Sequence, residues 1–246
     1  MSGHSKWSTI KRKKGALDAK RGKIFSKFSK EITIAAKDGG EPDMNPRLRL
    51  AIQNAKGVNM PKDNIERAIK KGSVTNAEQY FELTFEGYGT HGVAIFVECL
   101  TDNQNRTVQN VRSLFNKYGG NLGTNGSLEF IFDRKGVFSF VIPETMKMDD
   151  LELELIDGGA EEVEIEDGYV NVSSAMEDFG NLNKKLESLK IEAESAELQR
   201  IPNTMVSLSD EVFPDLMKLV DALEDDDDVQ KVYHSIEISE SQMELI

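Results

Sequence analysis

The chain has 246 residues, 39% hydrophobic and 30% charged, with a formal net charge of −13, a composition that excludes a fibrous or disordered chain and allows two or three compact units. No apolar stretch approaches the roughly 18 residues of a membrane span, and charges sit where a secretory signal needs an apolar core, so neither a membrane partner nor export is expected. One cysteine, Cys99, excludes an intrachain disulfide, and its place in the apolar run Val93–Leu100 predicts a buried, reduced thiol of the kind a cytoplasmic protein keeps.

An acidic average argues against a phosphate-bearing partner, but the charge is not evenly spread. Residues 1–75 hold 18 of the 30 Lys+Arg and 7 of the 43 Asp+Glu, whereas the remainder holds 12 and 36. Exposed charges are screened over about 8 Å at physiological salt, so a ligand on the basic part would hardly feel the acid if the two are well separated. Such asymmetry suggests an electrostatic binding module.

In chain order, Leu17, Ile24, Phe28, Ile32 and Ala35 recur at helical spacing from Ala16 to Lys37, and Gly39-Gly40 supplies the stop. Asn45-Pro46 reads as an N-cap with proline at the first helical position, followed by Leu48, Ala51, Ile52 and Ala55 on one stripe and Gly57 at the end. Pro61 opens a third helix that closes on Lys70-Lys71-Gly72, cations and then glycine as a helix C-terminus prefers. These helices are expected to form a small bundle.

The period then changes to that of strands, over Tyr80–Glu86, Val93–Leu100, Leu128–Phe132 and Val137–Ile142, with an amphipathic helix at Gln104–Tyr118. From Gly136 the order strand (137–142), helix (148–157), strands (161–166, 169–173), helix (179–189), strand (193–200) resembles the ferredoxin-like βαββαβ arrangement. Met205–Leu208, a helix at Asp210–Leu223 and a strand at Val232–Ile238 remain. They cannot bury an apolar face alone, and the earlier β-β-α-β lacks a second helix, so the two are expected to combine. The expected fold is α+β in three domains: a basic helical bundle over 1–76, a discontinuous α/β domain over 77–135 and 202–246, and an inserted ferredoxin-like α/β domain over 136–201, the two α/β domains being read as similar.

Chemical motifs are sparse. Gly87-Tyr88-Gly89-Thr90-His91-Gly92 fits G-x-G-x-x-G, but a strand follows where a dinucleotide site needs a helix N-terminus, which favours a turn between strands. The three histidines stand at no metal-ligand spacing relative to the cysteine, and the acidic run Glu224–Asp228 reads as a solvated helix end. A Walker A sequence and a nucleophile elbow are missing. No catalytic residue, metal, cofactor or small-molecule substrate is expected.

Cations are the positive signal. Lys6, Lys11, Arg12, Lys13 and Lys14 precede the first apolar stripe together with Trp7, an indole that either stacks on a base or plugs the bundle. Lys20, Arg21, Lys23, Lys27 and Lys30 follow on the first helix, and Arg47, Arg49, Lys62, Arg67, Lys70 and Lys71 on the next two. Such residues contact a phosphate backbone whatever its sequence. Asn103, Asn105 and Arg106 open the helix after Leu100 and either cap it or hold an anion there.

Gly3-His4-Ser5-Lys6-Trp7, Asp18-Ala19-Lys20-Arg21-Gly22-Lys23-Ile24-Phe25, Asn59-Met60-Pro61-Lys62-Asp63-Asn64-Ile65-Glu66-Arg67, Glu86-Gly87-Tyr88-Gly89, Glu98-Cys99-Leu100-Thr101-Asp102-Asn103 and Gly119-Gly120-Asn121-Leu122-Gly123 resemble the YebC/PmpR family over essentially the whole chain. The resemblance implies three domains and no catalysis. It also implies nucleic-acid contact through the basic N-terminal positions, either by a DNA-binding transcriptional regulator or by a translation factor that binds ribosomal RNA, acts at the ribosome and relieves stalls. Departures from the family pattern are Ser8-Thr9, Thr90-His91 and Phe130. No helix shows a clear helix-turn-helix pattern with base-reading side chains, which points to recognition of shape and backbone.

Overall fold

The computed structural model describes residues 18–74, 79–143, 146–166 and 168–243. The described residues form two compact units, one of 18–27, 79–133 and 201–243, the other of 28–74, 134–143, 146–166 and 168–200.

In the first unit, β1 (Phe81–Tyr88) and β2 (Ala94–Thr101) pair antiparallel from Phe81↔Thr101 to Tyr88↔Ala94. β3 (Asn121–Leu122) lies antiparallel beside β1, and β9 (Val229–His234) antiparallel beside β2, giving the order β3-β1-β2-β9. Alternation decides the two faces of β2. Val93, Ile95, Val97 and Cys99 are buried with Val111 and Phe115 of α4 (Gln104–Lys117) and with Phe213, Leu216, Leu219, Val220 and Leu223 of α7 (Phe213–Glu224). Ala94 and Phe96 face the other way, onto Leu128, Phe132 and Tyr233. The rings of Phe96 and Phe132 meet edge to face, 6.2 Å apart. A short parallel pair, β8 (Val206–Ser207) with β10 (Ile236–Glu237), and the helix α8 (Glu240–Met243) complete this unit.

The run Leu128–Phe132, expected as a strand, is a chain of turns leading into β4 (Phe132–Val141). Its apolar residues lack strict alternation, and the carboxylate of Glu86, itself buried, accepts hydrogen bonds from the amides of Gly126 (2.7 Å) and Leu128 (2.6 Å). Those amides are therefore lost to any ladder, and Leu128 folds down as a cover on the second face of β2.

The second unit holds β4, α5 (Met148–Asp157), β5 (Ala160–Glu166), β6 (Tyr169–Ala175), α6 (Phe179–Ser188) and β7 (Ser195–Pro202). Its sheet order, β5-β6-β4-β7, is that of the ferredoxin-like fold. Phe138, Phe140, Val170 and Val172 are buried against Leu151 and Leu155 of α5 and Leu182 and Leu186 of α6. Burying one such leucine stabilises the fold by roughly 1.5–3 kcal/mol. The first unit's sheet is also four-stranded and also packs two helices on one face, but its element order, β-β-α-β-α-β, and its strand order, β3-β1-β2-β9, differ from those of the second unit.

The same second unit carries the helical segment: α1 (Asp18–Ala35, from Phe28 onward), α2 (Pro46–Gly57) and α3 (Lys62–Gly72). Of the stripes read from periodicity, Ile32, Ala35, Leu48, Ala51 and Ala55 are buried, Ile24, Phe28 and Ile52 are half-buried and Leu17 lies outside the described residues; Ile65 and Ala68 of α3 are buried as well. Asn45 caps α2, accepting from the amide of Leu48 at 3.0 Å, and donates to the carbonyls of Ala35 and Gly39. α2 is seated on the start of β7. The Asn54 amide both donates to the Ala196 carbonyl (3.0 Å) and accepts from its N–H (2.9 Å), and Gln53 donates to the Ala193 carbonyl (2.9 Å). A Cβ on Gly57 would stand 1.8 Å from the Glu194 carbonyl oxygen, so only glycine allows this approach.

Candidate nucleic-acid interface

Six of the predicted contact residues, Lys6, Trp7, Lys11, Arg12, Lys13 and Lys14, lie outside the described residues. The others fall into two groups. In the first unit, Lys20 lies in the first turn of α1, and Arg21, Lys23 and Lys27 follow, Arg21 and Lys23 exposed and Lys27 half-buried. In the second, Arg47 and Arg49 are exposed on the first turn of α2, and Lys62, Arg67, Lys70 and Lys71 are exposed on α3. Lys56, exposed in the last turn of α2, was not singled out by sequence reasoning, although its place opposite the buried Ala51 and Ala55 is visible in the helical period.

The second group is not purely cationic. Asp63 and Glu66 are exposed on α3 among Lys62 and Arg67, with Lys62 Nζ 3.5 Å from Glu66 Oε1. Arg67 donates to the side chain of Asn64 and to the Asp63 carbonyl.

The first group meets acid directly. Lys23 Nζ lies 3.0 Å from Asp225 Oδ1 and 3.2 Å from the Asp225 carbonyl oxygen, and Lys27 Nζ donates to the Glu224 carbonyl at 2.8 Å. These are the last carbonyls of α7, the negative end of its dipole, where cations are favoured. Separation of the basic and acidic parts, the condition under which the net charge could be disregarded, therefore does not hold at this point.

The acidic run is also more structured than a solvated helix end. Asp228 is buried at 3% exposure. Its carboxylate accepts from Arg106 Nε (3.0 Å) and Nη2 (2.7 Å) and from the Thr107 hydroxyl (3.0 Å). Hydrogen bonds to Asp228 and then to Asp102 push the Arg106 guanidinium pKa up. Asn103 caps α4, accepting from the Arg106 amide at 3.1 Å. Of the two readings of this polar loop, the geometry supplies the capping one, with the arginine committed to carboxylates. Cys99 is buried under the same turn, and its pKa is pushed up to about 12 by that burial and then by the charges of Asp226 and Asp228.

Of the glycine-rich stretch, Gly87 and Tyr88 end β1 and the rest is the turn into β2, with His91 (φ 60°) and Gly92 (φ 75°) in the left-handed region. It is followed by a strand, as the spacing required. Phe130 stands 72% exposed on the loop that Glu86 organises, its carbonyl held by Asn203 at 2.8 Å. Among the described residues, no group of three or more His, Cys, Asp or Glu is placed to hold a metal ion, and no helix is long and apolar enough to cross a membrane.

Comparison with known proteins adds relatives over the full length. A "Probable transcriptional regulatory protein" of Amoebophilus asiaticus is 54% identical over 239 residues, covering 96% of this chain and 98% of its own. One of the same description from Geobacter sp. (strain M21) is 52% identical over 246 residues, covering 99% of each. A crystal structure of a conserved hypothetical protein from Aquifex aeolicus superposes with a TM-score of 0.80 at 41% identity, over 92% of this chain and 93% of that one. The profile of the TACO1/YebC protein N-terminal domain matches residues 5–75, and that of the TACO1/YebC second and third domain matches residues 80–236. With both profiles matched in order and full-length relatives above half identity, the chain belongs to the TACO1/YebC family.

Proposed function

We propose that this protein is a non-enzymatic, cytoplasmic regulator of gene expression that holds nucleic acid by its phosphate backbone, through the basic N-terminal segment and the cations of α1, α2 and α3. The observation that carries the reading is the segregation of 18 of the 30 Lys+Arg into residues 1–75 of an otherwise acidic chain. The transcriptional descriptions of its relatives support a DNA ligand and regulation of transcription. The division into a basic domain over 1–76, a discontinuous domain over 77–135 and 202–246 and an insert over 136–201 belongs to the same proposal.

A second reading, a translation factor on ribosomal RNA, is favoured by the exposed face of α3. Asp63 and Glu66 there would be repelled by the phosphates that flank a major groove. Shape recognition of folded RNA makes no such demand on one helix.

The test is equilibrium binding of the protein, and of a Lys11/Arg12/Lys13/Lys14→Ala variant, to purified ribosomes and to random and promoter-like duplex DNA across a salt series. Contact with about six phosphates gives a duplex slope of roughly −5 in log K against log salt. One DNA sequence bound far above random duplex selects the transcriptional reading. Ribosomes bound above any DNA, with loss in the variant, select the translational one. Binding to neither reduces the cations to a solvated face.

A further inference from the structure

We propose that the acidic turn ending α7 is an internal competitor for the phosphate-binding lysines of α1, so that Lys23 must exchange Asp225 for a phosphate before it contributes to binding. This rests on the nucleic-acid reading above and concerns the regulation of that same surface.

The contact has the form of a phosphate contact. Two oxygens of one residue, the Asp225 carboxylate and carbonyl, face the Lys23 ammonium at 3.0 and 3.2 Å, while one helical turn further on Lys27 is held by the Glu224 carbonyl. The other carboxylates of the turn with defined partners have internal work. Asp228 is held by Arg106 and Thr107, and Asp226 accepts from the Asn110 side chain and from the Asp228 amide. The Asp225 carboxylate reaches α1, at Lys23.

The pair is also built to exchange. Its side chains are 45% and 63% exposed, so water and salt screen it, and an exposed ion pair of this kind contributes little to stability. A duplex or folded RNA presents a dense row of phosphates with condensed counterions, whose release rewards each lysine that is transferred to it. The turn therefore weakens loose, low-charge contacts most and dense phosphate surfaces least, a filter for the kind of ligand held.

The experiment compares wild type, Asp225→Asn and Asp215→Asn for binding to random duplex DNA and to a folded ribosomal RNA fragment between 50 and 200 mM salt. Asp215 is exposed on the same helix and pairs with Lys218, so its variant changes the net charge equally without touching α1. Asp225→Asn is expected to bind about 2- to 5-fold tighter at the low-salt end, with a salt slope steeper by up to about 0.9 for the lysine released. Adding Lys23→Gln to Asp225→Asn should abolish both gains. If Asp225→Asn matches Asp215→Asn, or if Lys23→Gln changes nothing, the competitor is overturned while the binding function stands. If none of the four proteins binds either ligand, the function falls and the competitor with it.

Discussion

His234, at the end of β9, is fully buried, and burial pushes its pKa down from 6.5 to about 4. The folded state therefore holds the neutral ring, while the unfolded chain takes up a proton near pH 6.5. Stability is unaffected above that value and is lost as pH falls from 6.5 toward 4, by about 2 kcal/mol between pH 7 and pH 5. Urea unfolding of wild type and His234→Leu at both pH values checks this, since the variant should lack that part of the pH dependence and equal slopes would refute it. Arg106 carries a second residue-level expectation. Arg106→Ala leaves the Asp228 carboxylate buried without its counter-ion and should cost about 3 kcal/mol in the same assay, with Arg106→Lys only a partial rescue because it cannot make the two-pronged contact. The sequence marked Arg106 as a possible anion ligand from its place at a helix start. Its partner lies 122 positions away, in a run whose local pattern reads as solvated, and no periodicity links the two.

Element boundaries were legible where one period governs a segment. The helices opened by Asn45-Pro46 and Pro61 begin where their caps indicate, and the βαββαβ run from Gly136 has the expected order. Leu128–Phe132 was not legible, because its burial is decided by the far face of β2 and by Glu86, both some 30 or more positions upstream. Gly57 was legible only in part: it ends α2 as expected, yet its requirement comes from the Glu194 carbonyl that no local signal contains. Two glycine replacements separate these effects. Gly57→Ala must push α2 off β7 and should destabilise by more than about 2 kcal/mol. Gly22→Ala, in α1 with nothing within 4 Å of the added carbon, should stabilise by roughly 1 kcal/mol through helix propensity. Thermal midpoints that move in the same direction for both would contradict the contact at β7.

Across the whole molecule, charge is organised at two ranges. Segregation along the chain is visible in residue counts, and it underlies the proposed grip on phosphate. The place where Lys23 and Lys27 meet the end of α7 is invisible there, because the contact joins segments about 200 positions apart. The candidate surface was thus readable as a list of cations and unreadable as an arrangement, since which cations are already engaged depends on tertiary neighbours. Burial under that same acidic turn gives Cys99 a further role as an experimental reporter. The thiol is 3% exposed and its pKa is about 12, so an alkylating reagent at neutral pH can modify it only after β2 is uncovered. The rate of modification should follow the opening of the sheet core, slow in native buffer and rising steeply with urea, and a rapid reaction in native buffer would contradict the packing of β2 against α4 and α7. One atom of sulfur thus serves as a clock for how often the core of the first unit comes apart.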